Sequence, residues 1–346
     1  MNTRDNRRFT LPVFAILLTV LAILGFASLR YCLAADELPT NDLPLKHVAD
    51  IPLPGGATRL DYESYDPERN LMFIAHLGDG EVIAFDMRES RVVGRIANLS
   101  SVHGVLVIPE LSRVYASATG TNEIVAIDEA TLAIVSRIPG GIYPDGMAYV
   151  PHLHKLYVSN ESGETETVID VDTNTRVATI PLGGEVGNTQ YDPISRHVFV
   201  NIQTRRQLIE IDPATDQIVA RIDLPGARGN HGLLINPHDR LAFIACEGND
   251  KLLVLDMHTM RVIQAFDTGG APDVLAFDPV LNTLYVAGEA GIVSMFHVKG
   301  AVVTKIGNGS VGPRAHVVAV DAATHRSYFP LKDIDGHPVL RIMEPR

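Results

Sequence analysis

After residue 29 the chain is written in short apolar runs, each ended by a turn signal. EVIAFD is followed by RVVGRIA, EIVAID by AIVSRI, QLIEID by QIVARIDL and KLLVLD by RVIQAF. The runs are rich in Val and Ile, alternate in part, and stop at Asp-Pro, Asn, Gly or Thr, which predicts β-strands rather than helices. Between the paired runs a twelve-residue phrase returns seven times: YDPERNLMFIAH, VIPELSRVYASA, YVPHLHKLYVSN, YDPISRHVFVNI, INPHDRLAFIAC, FDPVLNTLYVAG and VDAATHRSYFPL. Aligned on Pro67, Pro109, Pro151, Pro193, Pro237, Pro279 and Ala322, the steps are 42, 42, 42, 44, 42 and 43 residues. A period of that length marks stacked supersecondary units that bury their apolar faces only against one another.

Four strands per repeat predict an all-β fold, a seven-bladed β-propeller with four-stranded blades. The last repeat ends at PVLRIMEP, which supplies only a third strand, while LKHVADIPL from Leu45 has the pattern of the fourth strands elsewhere. The N-terminal strand is therefore expected to close the last blade and remove an open edge. This divides the chain into a leader (1–35), a linker (36–44) and one propeller domain (45–346).

KLYVSN and TLYVAG, preceded by PDGMAYVP and PDVLAFDP and followed by Asp-containing turns at Asp86, Asp128, Asp172, Asp212 and Asp256, resemble the YVTN family of bacterial seven-bladed propellers, including YncE-like proteins. Blade six departs from the pattern with MFHVKG. The resemblance covers residues 45–346 and implies fold; the scaffold carries enzymes, electron-transfer modules and binding proteins alike. The absence of Trp argues against WD40 repeats and against the docking motifs of quinoprotein dehydrogenases.

The leader has Arg4, Arg7 and Arg8, an uncharged run from Phe9 to Leu29, and small residues at Ala34 and Ala35. It reads either as a cleaved signal peptide or as an uncleaved N-terminal anchor; both put the repeats outside the cytoplasm, in the periplasm or secreted. Setting aside the four Arg and one Asp of residues 1–35 leaves 25 basic and 40 acidic residues. That excess of acid excludes nucleic acid as a general partner. Only Cys246 would remain after cleavage, so packing rather than disulfides must hold the blades. A monomer that meets a membrane only through its leader is expected.

Chemistry emerges when the repeat serves as a ruler. Six residues before the repeat proline stand Asp61, His103, Asp145, Gly187, His231, Asp273 and His316. This is the start of the innermost strand, so these side chains are expected to ring one mouth of the central channel. Two trios, His316/Asp61/His103 and His231/Asp273/His316, combine two imidazoles with a carboxylate, a set suited to Zn, Cu, Ni or non-haem Fe with open positions; Asp145 is a further candidate ligand. Arg59 and Arg314 flank the ring and are expected to clamp an anionic group, with His76 as a third catalytic candidate. Asn188, Gln190, Glu247 and Glu289, with Asn160 and Glu161, are expected to line the same mouth and contact substrate. The plainer alternative is that polar mouth residues simply satisfy exposed backbone, and that Asp145 and Asp273 are Pro-Asp turn formers. The resulting expectation is an exported propeller whose metal site acts on a small polar or anionic molecule. Hydrolysis or elimination comes first, copper redox chemistry second, and a non-catalytic scaffold for a ligand or protein is the alternative.

Overall fold

The computed structural model describes residues 42–346. The leader, Cys32 and most of the linker lie outside them, and no helix among the described residues is long and apolar enough to cross a membrane. Seven antiparallel sheets of four strands each form the ring. In blade 5, for example, strand a (Asn230–Asn236) pairs with b (Leu241–Cys246), b with c (Lys251–Asp256) and c with d (Arg261–Asp267).

Each repeat phrase makes the a-to-b turn. Asn70, Ser112, His154, Arg196, Arg240, Asn282 and His325 all sit three residues past the alignment position, and all have positive φ. In blade 1 the Asp66 carboxylate accepts the backbone N–H groups of Glu68 and Arg69 at 2.7 and 3.1 Å, which fixes that turn. The c-to-d turns are held the same way by Asp86, Asp128, Asp212 and Asp256. The expected Asp172 is not the equivalent in blade 3. Asp170 takes the N–H of Thr173 there, because it ends strand c, and Asp172 pairs with His154 instead.

The b and c strands are buried almost throughout, whereas the d strands alternate, as in eieieB for Arg91–Ile96. One face of each blade packs on its neighbour. Phe73, Val82 and Ala84 of blade 1 meet Val105, Val114 and Val125 of blade 2, and Met72, Ile74 and Phe85 on the opposite face meet Leu340 and Ile342 of blade 7. Removing this apolar area from water, at ~25 cal/mol per Å², is what holds a ring without disulfides.

The closing strand behaves as expected. Leu45–Pro52 pairs antiparallel with His337–Pro345, from Leu45↔Pro345 to Pro52↔Val339, and becomes strand d of blade 7. Leu43 and Leu45 are buried in the interface between blades 6 and 7. Arg341 grips Asp50 across the seam with two hydrogen bonds of 2.8 and 2.6 Å.

Candidate functional site

The innermost strands begin at one mouth of the channel, and there the backbones crowd. A Cβ on Gly232 would lie 1.9 Å from the Asp273 carbonyl oxygen, and one on Gly104 2.1 Å from that of Asp145. Only glycine fits where neighbouring inner strands approach so closely. The residue just before each glycine is thereby aimed inward. A cavity of about 580 Å³ results, lined among others by Arg59, Asp61, His103, Asp145, His231 and Asp273. Its size suits a small molecule.

The floor of this cavity is a residue that the sequence reading passed over. Tyr62 reaches across the channel, its hydroxyl donating to Asn188 Oδ1 at 2.6 Å and lying 3.3 Å from His231 Nε2. Asn188 and Gln190 consequently line a second, smaller cavity of about 170 Å³ beneath the tyrosine, separate from the one that holds the ring. Neither contacts the mouth cavity as expected. The missed signal was one place along the ruler: the slot five before the alignment position holds Tyr62, Gly104, Gly146, Asn188, Gly232, Val274 and Val317, and the three glycines leave room for the ring. Tyr143 was missed likewise, although it shares the slot of Arg59 and Arg314 eight before the proline.

The ring members have different fates. His103 belongs to none of the groups with ligand geometry among the described residues. Its Nδ1–H donates to the Ser101 carbonyl at 2.9 Å, and its Nε2 faces the Tyr143 hydroxyl at 3.0 Å, so both nitrogens are engaged. Asp61 is held by Arg59 Nε at 3.0 Å and by the Tyr62 N–H at 3.1 Å. The expected trio of His316, Asp61 and His103 is therefore not assembled. Asp145 lies against His231, with Oδ2 to Nε2 at 3.8 Å.

Glutamates from the b-to-c turns reorganise the remainder. Ten residues past the alignment position stand Leu77, Thr119, Glu161, Gln203, Glu247, Glu289 and Lys332. Glu247 and Glu289 each join the start of their own inner strand to the start of the next. The gap between blades 5 and 6 contains His231, Glu247 and Asp273, and the gap between blades 6 and 7 contains Asp273, Glu289 and His316. In both, one ligand atom from each residue lies within 4.8 Å of the others. Elsewhere Leu77, Thr119, Gln203 and Lys332 supply no anionic ligand. This is why the second expected trio, His231/Asp273/His316, is replaced by two sets of one imidazole and two carboxylates with Asp273 in common. Glu247 and Glu289 thus join the ligand-bearing groups rather than standing as substrate contacts.

The arginines are not free to clamp an anion. Arg59 Nη1 lies 2.6 Å from Glu289 Oε1, and Arg314 Nη1 3.6 Å from Glu289 Oε2. His76 is fully buried and faces away from the mouth cavity; its Nε2 donates to Thr58 Oγ1 at 2.9 Å. It sits nine, not ten, residues past the proline, and backbone alternation turns it into the blade, as it does Asn160, whose amide is saturated by Gly141, Thr165 and Thr167. His76, Asp79 and Glu81 form a third set among the described residues with ligand geometry. It is closed, because Arg95 chelates Glu81 and Asp79 is taken by Thr58 and the Gly56 N–H.

Crowded acid sets the electrostatics. Burial raises Asp145, Asp273, Glu161 and Glu247 above the usual carboxylate range, although His231 pulls each back. Burial disfavours a charged His231, but Asp273, Glu247, Asp145 and Glu161 outweigh it and hold the imidazole up at about 9. Three buried atoms in or beside the cavity have no hydrogen-bond partner: Asp145 Oδ1, Asp273 Oδ1 and His316 Nε2. His316 is 2% exposed, and its Nδ1–H donates to the Arg314 carbonyl at 2.8 Å. That bond fixes the ring and turns Nε2 toward Glu289 Oε1, 4.0 Å away. A histidine tied to a backbone carbonyl through one nitrogen and aiming the other at carboxylates has the second-sphere support of a metal ligand.

No family model and no curated protein matches the chain. Solved structures match it in fold. A chain of the structure titled Kuenenia stuttgartiensis Hydrazine Synthase is 15% identical with a TM-score of 0.73, covering 85% of this chain and 97% of that one. The RRP9 WD40 repeats are 10% identical with a TM-score of 0.74, covering 87% and 100%. At such identities the likeness establishes a seven-bladed propeller and nothing about chemistry.

Proposed function

We propose that the mouth of the channel binds a divalent cation through Asp273, Glu289 and His316 and that the protein acts there on a small polar molecule. The observation that carries this is the buried, unpartnered Nε2 of His316 facing Glu289, with Asp273, whose Oδ1 is also unpartnered, in the same set of ligand groups beside the cavity. Leaving such atoms unpaired costs ~1–3 kcal/mol each, a cost that a cation removes. One imidazole with two carboxylates favours Zn or non-haem Fe over Cu, since the two-imidazole sets that suited copper are not formed.

A bound cation would supply Lewis acidity, which fits hydrolysis or elimination. The protein's own groups do the rest. Arg59 and Arg314 orient Glu289, Tyr62 closes the floor, and the 580 Å³ cavity selects for size. With both arginines committed, a neutral polar substrate suits the cavity better than an anionic one. Export through the apolar leader and membership of the YVTN, YncE-like propellers belong to the same reading and are supported by the sequence patterns above.

Metal analysis of the purified chain after dialysis tests it, together with turnover of a panel of small lactones and esters before and after chelation. Less bound cation in His316→Ala than in the native chain, and turnover restored by added Zn²⁺, are expected. A metal-free chain whose melting temperature ignores both chelator and Zn²⁺ would overturn the reading and favour a binding scaffold.

A further inference from the structure

Two adjacent gaps between neighbouring inner strands each carry a complete set of ligands. The sets occupy corresponding positions in successive blades and share Asp273. His231 and Glu247 of blade 5 stand on one side; Glu289 of blade 6 and His316 of blade 7 stand on the other. Asp273, common to both sets, has a buried oxygen without a partner, and the blade 6–7 set has a second such atom in His316 Nε2. Asp273 Oδ1 lies 3.6 Å from His231 Nε2, outside hydrogen-bond range, and His316 Nε2 lies 4.0 Å from Glu289 Oε1. Asp273 and His316 are 4% and 2% exposed, so water has little access to either.

We infer that the mouth holds two divalent cations, with Asp273 as the bridging carboxylate between a His231/Glu247 site and a Glu289/His316 site. This rests on the single-cation reading above and extends it. A carboxylate has two oxygens and commonly spans two metals ~3.5–4 Å apart. Charge supports the count. Asp61, Asp145, Glu161, Glu247, Asp273 and Glu289 line the cavity against Arg59 as its one guanidinium. Six carboxyl groups face one lining guanidinium, with Arg314 reaching Glu289 from beside the cavity, so the acidic groups outnumber what a single cation would take up. The chemistry implied is that of paired-metal hydrolases, in which the two ions share the attacking and leaving oxygens of one substrate.

Calorimetric titration of the metal-stripped full chain with Zn²⁺, checked by elemental analysis of the loaded protein, separates the possibilities. Two equivalents are expected for the native chain. One is expected for each of His316→Ala, Glu289→Gln, His231→Ala and Glu247→Gln, and at least a hundredfold weaker binding of both ions for Asp273→Asn, with unchanged far-ultraviolet circular dichroism in every variant. The glutamine variants keep the inference testable should a histidine variant fold poorly. One equivalent in the native chain overturns the paired site and leaves the single-cation reading standing; none overturns both. Two equivalents that survive in His231→Ala and Glu247→Gln, or that vanish together in His316→Ala, also overturn the pairing, because the two sites would then not be the ones named.

Discussion

Arg341→Ala should loosen the closure of the ring, and the structure says by how much. The Arg341 guanidinium donates to both Asp50 oxygens at 2.8 and 2.6 Å and to the Val311 carbonyl at 2.5 Å, tying the closing strand to blade 7 and to the loop leaving blade 6. Both partners are about four-fifths buried, with 19% and 24% of their side-chain surface exposed. Hydrogen bonds to charged groups contribute ~1.5–3 kcal/mol each. Residual solvent screening reduces the sum, so a loss of about 2–3 kcal/mol is expected. For a domain of about 300 residues the unfolding entropy is roughly 0.6 kcal/mol per kelvin, and the melting temperature should fall by about 4 °C. The same seam supplies its own control. Lys46 and Glu344 pair at 2.9 Å but are 57% and 31% exposed, so Lys46→Ala should cost no more than ~0.5 kcal/mol. Calorimetric melting of both variants, with hydrogen exchange of the amides of residues 45–52, measures the contrast. Equal shifts in the two variants, or no faster exchange in the closing strand of Arg341→Ala, would refute the view that this buried pair latches the ring.

Two further outcomes follow from particular contacts. Burial first, then the neighbouring Asp66 carboxylate, lift Glu129 from its ordinary value near 4.5 to about 7, against the pull of Arg69. Its folded pKa being the higher one, its contribution to stability is fully present below pH ~4.5 and is lost as pH rises through 7. Glu129→Gln should therefore gain on the native protein between pH 5 and 8, by at most ~3 kcal/mol in urea unfolding, and parallel pH profiles would count against it. Gly232→Ala sets a methyl group 1.9 Å from the Asp273 carbonyl, so it should both destabilise the ring by more than ~2 kcal/mol and weaken Zn²⁺ binding, whereas retained affinity would show that Asp273 is not held by this close approach.

The architecture was legible in the chain because a repeat is a local statement. Alternating apolar runs, turn residues at fixed offsets and a 42-residue step determine the blade, and a missing fourth strand at one end with a spare strand at the other determines the closure. The ring of Asp and His could also be lined up, since strand starts share an offset. What the ruler could not supply is which neighbours these groups meet. Whether His103 is free depends on Tyr143, 40 residues away; whether Arg59 can hold an anion depends on Glu289 from blade 6; and Tyr62 finds partners 126 and 169 residues distant. Sequence periodicity reports the direction of a side chain relative to its own strand. Coulombic pairing and burial act across the gap between blades, and only the closed ring brings Asp273 between His231 and His316 with a glutamate on each side.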